Sequence, residues 1–229
     1  MTLSGRRLAV EIAACYIICI ILTMVDVACI PLGFPVADLA WCLAVGALVA
    51  LPILAVRRVH PRSEDEAGID LKITRRGILF GLAAILALLL PVWFGHHLWQ
   101  TRFLGADFVP DISRLSTLPR ALWLEIPIQI FCVALPEEFF YRGYVQTALT
   151  DKFKNCPRLS RVAVPLAIGL ASLLFAASHL PSGNFTRLLT FFPGLLFGLL
   201  RYKSDSLWAP ILCHAACNLM MVGYGVFYI

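Results

Sequence analysis

Charged residues are scarce in this sequence: only 14% of its 229 residues are Asp, Glu, Lys or Arg, against about 25% in soluble domains. This shortage excludes a soluble globular domain, and a hydrophobic content of 60% excludes a disordered chain. Glycine is too sparse for a collagen-like repeat. Apolar runs of about 20 residues are present instead, which is the length needed to cross the hydrocarbon core of a bilayer. We therefore expect an integral membrane protein.

A disulfide framework and a metal-binding motif are also missing. All of the eight cysteines except Cys156 lie in apolar segments, without the regular spacing of a secreted scaffold, so we expect free thiols buried in lipid. Cys213 and Cys217 flank His214 and raise the possibility of zinc, but a His-Glu-x-x-His motif is lacking and a third ligand is not obvious. We expect no metal and no other cofactor.

The apolar runs predict an all-α, polytopic bundle of about seven transmembrane helices. The first run is too long for the apolar part of a signal peptide and lacks a small-x-small cleavage site, so we expect a retained span. The sixth predicted span is short, and a re-entrant segment is an alternative interpretation there. The chain divides into an N-terminal part, 1–117, with the polar loop 57–76, and a C-terminal part, 118–229. The predicted spans are 8–30, 37–56, 77–99, 118–150, 162–180, 188–202 and 207–228.

The basic residues predict an orientation for the chain. If the amino terminus is cytoplasmic and the spans alternate, fourteen Lys and Arg residues lie in cytoplasmic loops, four lie outside, and Arg142 lies within a span. Basic residues gather in the cytoplasmic loops of membrane proteins, which accounts for the net charge of +5 without a nucleic-acid partner. A compact chain without a eukaryotic sorting tail favours a bacterial inner membrane.

Three charged side chains fall within the fourth predicted span, where each needs a partner or a function. Glu138 and Arg142 are four residues apart on one helical face, in the favourable order for an ion pair, and a structural role is the favoured interpretation. Glu137 is rotated about 100° from Glu138 and is left without that partner. A desolvated carboxylate can exchange a proton near neutral pH, so Glu137 is a candidate general base.

Two further motifs place imidazole and amide groups in predicted spans. His179 closes a Phe-Ala-Ala-Ser-His segment at the end of the fifth span, where a histidine by itself is more often interfacial than catalytic. His214 and Asn218 are four residues apart in the seventh span, so their side chains project from one face. Two such donors could stabilise an oxyanion or clamp two helices together.

In this order, the three motifs resemble the CPBP family, also called ABI, which contains CAAX prenyl endopeptidases and bacteriocin-processing or immunity proteins. The family's patterns are two glutamates followed after three residues by an arginine, then Phe-x-x-x-His, then His-x-x-x-Asn. Their matches here are Glu137-Glu138-Phe-Phe-Tyr-Arg142, Phe175 to His179, and His214 to Asn218. The resemblance covers about residues 120–222, whereas the first three spans resemble nothing that we can name.

The resemblance implies a glutamic-type intramembrane endopeptidase that needs no metal. It implies that Glu137 with His179 activates the attacking water and that His214 with Asn218 stabilises the oxyanion. Glu138 with Arg142 would orient the other residues of the site. The implied partner is a membrane-embedded or lipidated protein or peptide. It would be cut at a C-terminal sorting or CAAX-like tail or at a leader.

Two other functions stay open from the sequence. A non-catalytic membrane protein that binds a partner, as a bacteriocin-immunity protein would, could use the same polar cluster structurally. A proton-coupled transporter would account for Glu137 but not for three motifs together, and no inverted repeat is visible. Gly194 and Gly198 form a Gly-x-x-x-Gly face that permits close helix packing within the bundle or in a dimer. The oligomeric state therefore stays open.

Overall fold

The computed structural model describes residues 5–59, 63–111, 113 and 118–228. These ranges form an all-α bundle, and each predicted span overlaps one helix, which confirms the predicted architecture. Arg62 and Arg114, two of the basic residues used for the orientation, lie outside the described residues. The helices are α1 (Gly5–Cys29), α2 (Val36–Leu54), α3 (Arg75–Leu98), α4 (118–154), α5 (Ala163–Ala177), α6 (Phe191–Ser204) and α7 (Trp208–Gly225).

Several helices have the length and surface of membrane spans. Among the described residues, four are long and apolar enough to cross a bilayer: Arg7–Leu32, Val36–Arg58, Arg75–Phe103 and Ser160–Ser182. Large apolar side chains such as Ile17, Leu86 and Leu173 are exposed on the outside of the bundle. Exposed apolar surface on this scale is typical of a membrane-facing protein. The chain is an integral membrane protein, as its composition predicted.

Helix α4 lies at the centre of the bundle. It contains two π-helical segments, Ile128–Ala134 and Phe139–Val145, on either side of the turn Leu135–Glu138. Departures of this kind from α-helical geometry are rare and are frequently found at functional sites. Residues 138–146 are all buried. The charged motif is therefore surrounded by other helices rather than by lipid.

Helix α6 packs closely on α4 through its two spaced glycines. The carbonyl oxygen of Gly194 accepts a hydrogen bond from Arg142 Nη2 at 3.2 Å, and that of Gly198 accepts one from Gln146 Nε2 at 3.0 Å. A β-carbon at position 198 would lie only 2.8 Å from Gln146 Oε1. The Gly-x-x-x-Gly face thus serves contacts within this chain.

Helix α1 is bound to the C-terminal half by two long-range hydrogen bonds. The buried hydroxyl of Tyr144 in α4 donates to the Glu11 carboxylate, and the Tyr16 hydroxyl donates to the carbonyl of Leu174 at 3.0 Å. Leu8 and other apolar residues of α1 belong to the same buried cluster as the aromatic side chains of α4. The division at residues 117 and 118 stays a prediction, and the two parts share a core.

The polar loop before α3 also reaches the central helix. Gly68 has a φ of +75°, and a β-carbon there would lie 2.7 Å from the carbonyl oxygen of Gly143 in α4. Glycine is needed for both the left-handed conformation and the close approach. The indole nitrogen of Trp208 donates to the carbonyl of Leu71 at 2.8 Å, which fixes the loop to the start of α7. The loop therefore covers α4 just after the charged motif.

Candidate active site

A buried ion pair lies at the base of the candidate site. The side chains of Glu138 and Arg142 have no exposed area, and Arg142 Nη1 donates to Glu138 Oε1 at 3.1 Å. This is the pairing that the four-residue spacing predicts. The guanidinium carbon of Arg142 also lies 4.3 Å from the centre of the Phe175 ring. Removing one partner would leave a buried charge uncompensated. Arg142 also connects α4 to α5 through Phe175 and to α6 through the Gly194 carbonyl.

His214 of α7 lies between the two glutamates. Its Nδ1 is 2.8 Å from Glu138 Oε1, and its Nε2 is 3.7 Å from Glu137 Oε2. Because an ionised carboxylate only accepts hydrogen bonds, Nδ1 is the donor to Glu138 and Nε2 faces Glu137. The imidazole stacks on the ring of Phe197 at a centroid distance of 4.9 Å and meets the ring of Phe175 edge-on. These contacts fix the orientation of the imidazole.

Glu137 is the more accessible of the two glutamates. Its side chain is 23% exposed, whereas that of Glu138 is fully buried. It lines a cavity of about 330 Å³. The structure keeps Glu137 out of the Glu138–Arg142 pair, as the rotation along the helix predicts, but it places His214 3.7 Å away. Of the two carboxylates, Glu137 is therefore the one that can meet a water molecule or a substrate.

His179 lines the same cavity as Glu137, at the turn that follows α5. Its Nδ1 lies 2.9 Å from the carbonyl oxygen of Phe175. A carbonyl only accepts hydrogen bonds, so Nδ1 carries a proton. In the neutral ring, Nε2 is then left as an acceptor, the state required to take a proton from water. The carboxylate and the imidazole that the resemblance assigns to water activation thus line one cavity.

Asn218 has a partner that the sequence did not indicate. Its Nδ2 donates to Gln129 Oε1 at 2.8 Å, and Gln129 Nε2 in turn donates to Glu125 Oε2 at 3.4 Å. His214 and Asn218 share one face of α7 but contact different parts of α4. An amide nitrogen has two hydrogens, so the bond to Gln129 leaves Asn218 one donor.

The cavity has a second wall that the sequence also did not indicate. On one side it is lined from the C-terminal half, by Glu137, Tyr141, Ser178, His179, Ser182 and Arg187. The other side is formed by the first two spans, which carry none of the three motifs. Their lining residues are Cys19, Ile20, Thr23, Asp26, Val27, Ile30, Trp41, Ala44, Val45 and Leu48.

Cys213, His214 and Cys217 of α7 are the residues that raise the possibility of zinc. All eight cysteines are free thiols, as their spacing predicted. In the part of the chain that the structure describes, no group of three or more His, Cys, Asp or Glu side chains is arranged to hold a metal ion.

Comparison with known proteins identifies the segment that carries the site. Residues 119–220 match the family model described as type II CAAX prenyl endopeptidase Rce1-like. This interval confirms the resemblance that the three motifs indicate over residues 120–222, and it includes all seven motif residues. No curated protein and no solved structure matches the chain. Helices α1 to α3 lie outside the matched interval.

Proposed function

We propose that this chain, whose residues 119–220 match the family model described as type II CAAX prenyl endopeptidase Rce1-like, is an intramembrane endopeptidase of the glutamic type. Its substrate is a membrane-anchored or lipid-modified protein or peptide. The observation that carries the proposal is the position of Glu137 and His179 on one cavity, next to a buried network that holds α4 and α7 together.

In the proposed reaction, Glu137 and His179 bind and activate one water molecule. The water gives a proton to this pair while its oxygen attacks the carbonyl carbon of the scissile peptide bond. The proton then passes to the amide nitrogen as the carbon–nitrogen bond breaks, so the products are a carboxylic acid and an amine. General base assistance of this kind contributes about 10²- to 10⁴-fold to a rate.

His214 and Asn218 are the proposed donors to the oxyanion of the tetrahedral intermediate. The 3.7 Å separation between His214 Nε2 and Glu137 is longer than a hydrogen bond, so Nε2 is not committed to that carboxylate. As an imidazolium, His214 would donate from Nδ1 to Glu138 and from Nε2 to the oxyanion. Asn218 would use the hydrogen that Gln129 does not accept. The scissile carbonyl therefore has to lie between Glu137 and α7.

Glu138 and Arg142 are proposed to act through their neighbours. Glu138 Oε1 accepts from both His214 Nδ1 and Arg142 Nη1. The pair would thus hold the imidazole at the angle at which its second nitrogen faces Glu137. This role agrees with the complete burial of both side chains, which keeps them away from a substrate.

The substrate class and the location belong to the same proposal. The family's description supports a prenylated C-terminal tail, and removal of a sorting helix or a leader would use the same site. The distribution of basic residues supports a cytoplasmic amino terminus, and the proposed location is a bacterial inner membrane.

The proposal is tested in the native host by mapping protein termini in membranes of a deletion strain. The strain is rescued with wild type, with Glu137→Gln, or with the control Asp151→Asn, which changes an exposed carboxylate at the end of α4. Specific new termini are expected with wild type and the control only. If all three alleles give the same termini and rescue alike, hydrolysis is wrong and a non-catalytic binding role becomes the better account.

A further inference from the structure

The cavity beside Glu137 contains charges that the proposed chemistry does not use. Asp26 of α1 lines one wall, and Arg187 of the 3₁₀ segment Phe185–Thr190 lines the other. Within the described ranges, neither side chain has a hydrogen-bond or ionic partner. By contrast, Arg142 is paired with Glu138 and Arg201 with Asp205. The cavity thus presents a cation that is available to a ligand.

The wall formed by α1 and α2 is largely apolar. On α1 the lining positions include Thr23 and Asp26, three residues apart on one face, whereas the remaining side chains of the wall are mostly aliphatic or aromatic. A ligand that fits this lining has an apolar body and one anionic group. The anion is expected at Arg187 and away from Asp26, because the carboxylate of Asp26 would repel it.

The size of the cavity restricts this ligand further. A volume of about 330 Å³ is at the lower end of the range for ligand sites, which is about 300–1,000 Å³. It accommodates a short peptide segment and not a folded domain. The carboxyl terminus of an apolar polypeptide segment has this chemistry, because its carboxylate is the one charged group.

We propose that Arg187 binds the free C-terminal carboxylate of the substrate while α1 and α2 receive the apolar side chains that precede it. Cleavage at Glu137 and His179 then takes place a few residues from the carboxyl terminus. Arginine suits this role because its planar guanidinium can form two parallel hydrogen bonds with a carboxylate. The inference rests on the proposed function and adds the group that specifies which end of the substrate enters the cavity.

Binding to the purified full-length Glu137→Gln protein tests this inference without requiring turnover. The probes are two S-farnesylated peptides with the Cys-aliphatic-aliphatic-X ending of prenylated proteins, one with a free C-terminal acid and one with a C-terminal amide. The acid is expected to bind at least about tenfold more tightly. Adding Arg187→Gln should weaken binding of the acid to the level of the amide. Adding Arg102→Gln, which changes an exposed arginine of the third span, should leave the preference intact.

Three results would overturn the inference: equal binding of acid and amide, an acid preference that survives Arg187→Gln, or its loss in the Arg102→Gln control. If the Arg187→Gln variant does not fold, the affinities of the acid and the amide for the Glu137→Gln protein alone show whether the cavity recognises a C-terminal carboxylate. Asp26→Asn should preserve or increase the acid preference. A decrease would contradict the assigned positions of the two charges.

Turnover by wild type separates this inference from the proposed function. If wild type cuts both probes equally and binding shows no acid preference, hydrolysis stands and the role of Arg187 is wrong. If wild type cuts neither probe but acid-selective binding depends on Arg187, the carboxylate site stands and hydrolysis of prenylated tails is wrong.

Discussion

His214 Nδ1 lies 2.8 Å from Glu138 Oε1, which joins two buried side chains that are 76 residues apart in the sequence. The same carboxylate oxygen accepts a hydrogen bond from Arg142, one turn further along α4. One oxygen atom therefore connects the imidazole of α7 to the guanidinium of α4. The consequence for the proposed reaction is that His214 Nε2 faces Glu137.

Glu138→Gln should destabilise the protein strongly. The substitution keeps the shape of the side chain but leaves the buried Arg142 without a counter-charge, for an expected loss of about 3–5 kcal/mol. Thermal unfolding in detergent measures the effect as a lower Tm. In the double variant Glu138→Gln/Arg142→Met, which removes both charges, part of the stability should return. A single variant as stable as wild type would contradict the buried pairing.

His179→Ala and His214→Ala should separate activity from stability. His179 is partly exposed on the cavity, so its loss should lower kcat by about 10²-fold or more with little change in Tm. His214 is buried and hydrogen-bonded to Glu138, so its loss should lower both kcat and Tm. Cleavage assays and thermal unfolding on the same preparations check the contrast. An active His179→Ala protein would remove that imidazole from the proposed water activation.

Asn218→Ala and Gln129→Ala should show coupled effects. The direct bond between the two amides predicts an interaction free energy of about 0.5–3 kcal/mol in a double-mutant cycle on stability. If Asn218 donates to the oxyanion, its loss should lower kcat by about 10²- to 10³-fold. Gln129→Ala should have a smaller effect on kcat, because it only positions Asn218. Additive changes in stability would argue against the contact.

Gly198→Ala should disrupt the packing of α6 on α4 and α5. The added β-carbon would lie 2.8 Å from Gln146 Oε1 and 2.8 Å from Ile168 Cγ2, and overpacking of this kind costs about 1–3 kcal/mol. The matched control is Gly169→Ala in α5, where a β-carbon meets nothing within 4 Å. Thermal unfolding of the two variants should differ. Equal Tm values would show that α6 can move away from its neighbours at Gly198 without loss of stability.

The positions of the helices and part of the site followed from the sequence. Spans are recognisable because each apolar run must match the thickness of the bilayer, and the Glu138–Arg142 pair is recognisable because a helix places residues i and i+4 on one face. Both rules act within a single helix. The Gln129–Asn218 hydrogen bond joins residues of two helices that are 89 positions apart in the sequence. No local spacing of residues predicts such a contact.

The amino-acid sequence by itself determined the membrane environment, the all-α architecture and the faces on which the motif residues lie, because hydropathy and helical periodicity are local properties. Only the tertiary structure decided that His214 meets both glutamates, that Glu137 and His179 open onto one cavity, and that α1 and α2 form its other wall. These relationships depend on how side chains from distant helices pack against each other. The physical reason is that the distance between helices is set by the sum of many contacts in the bundle, such as the close approach at Gly198.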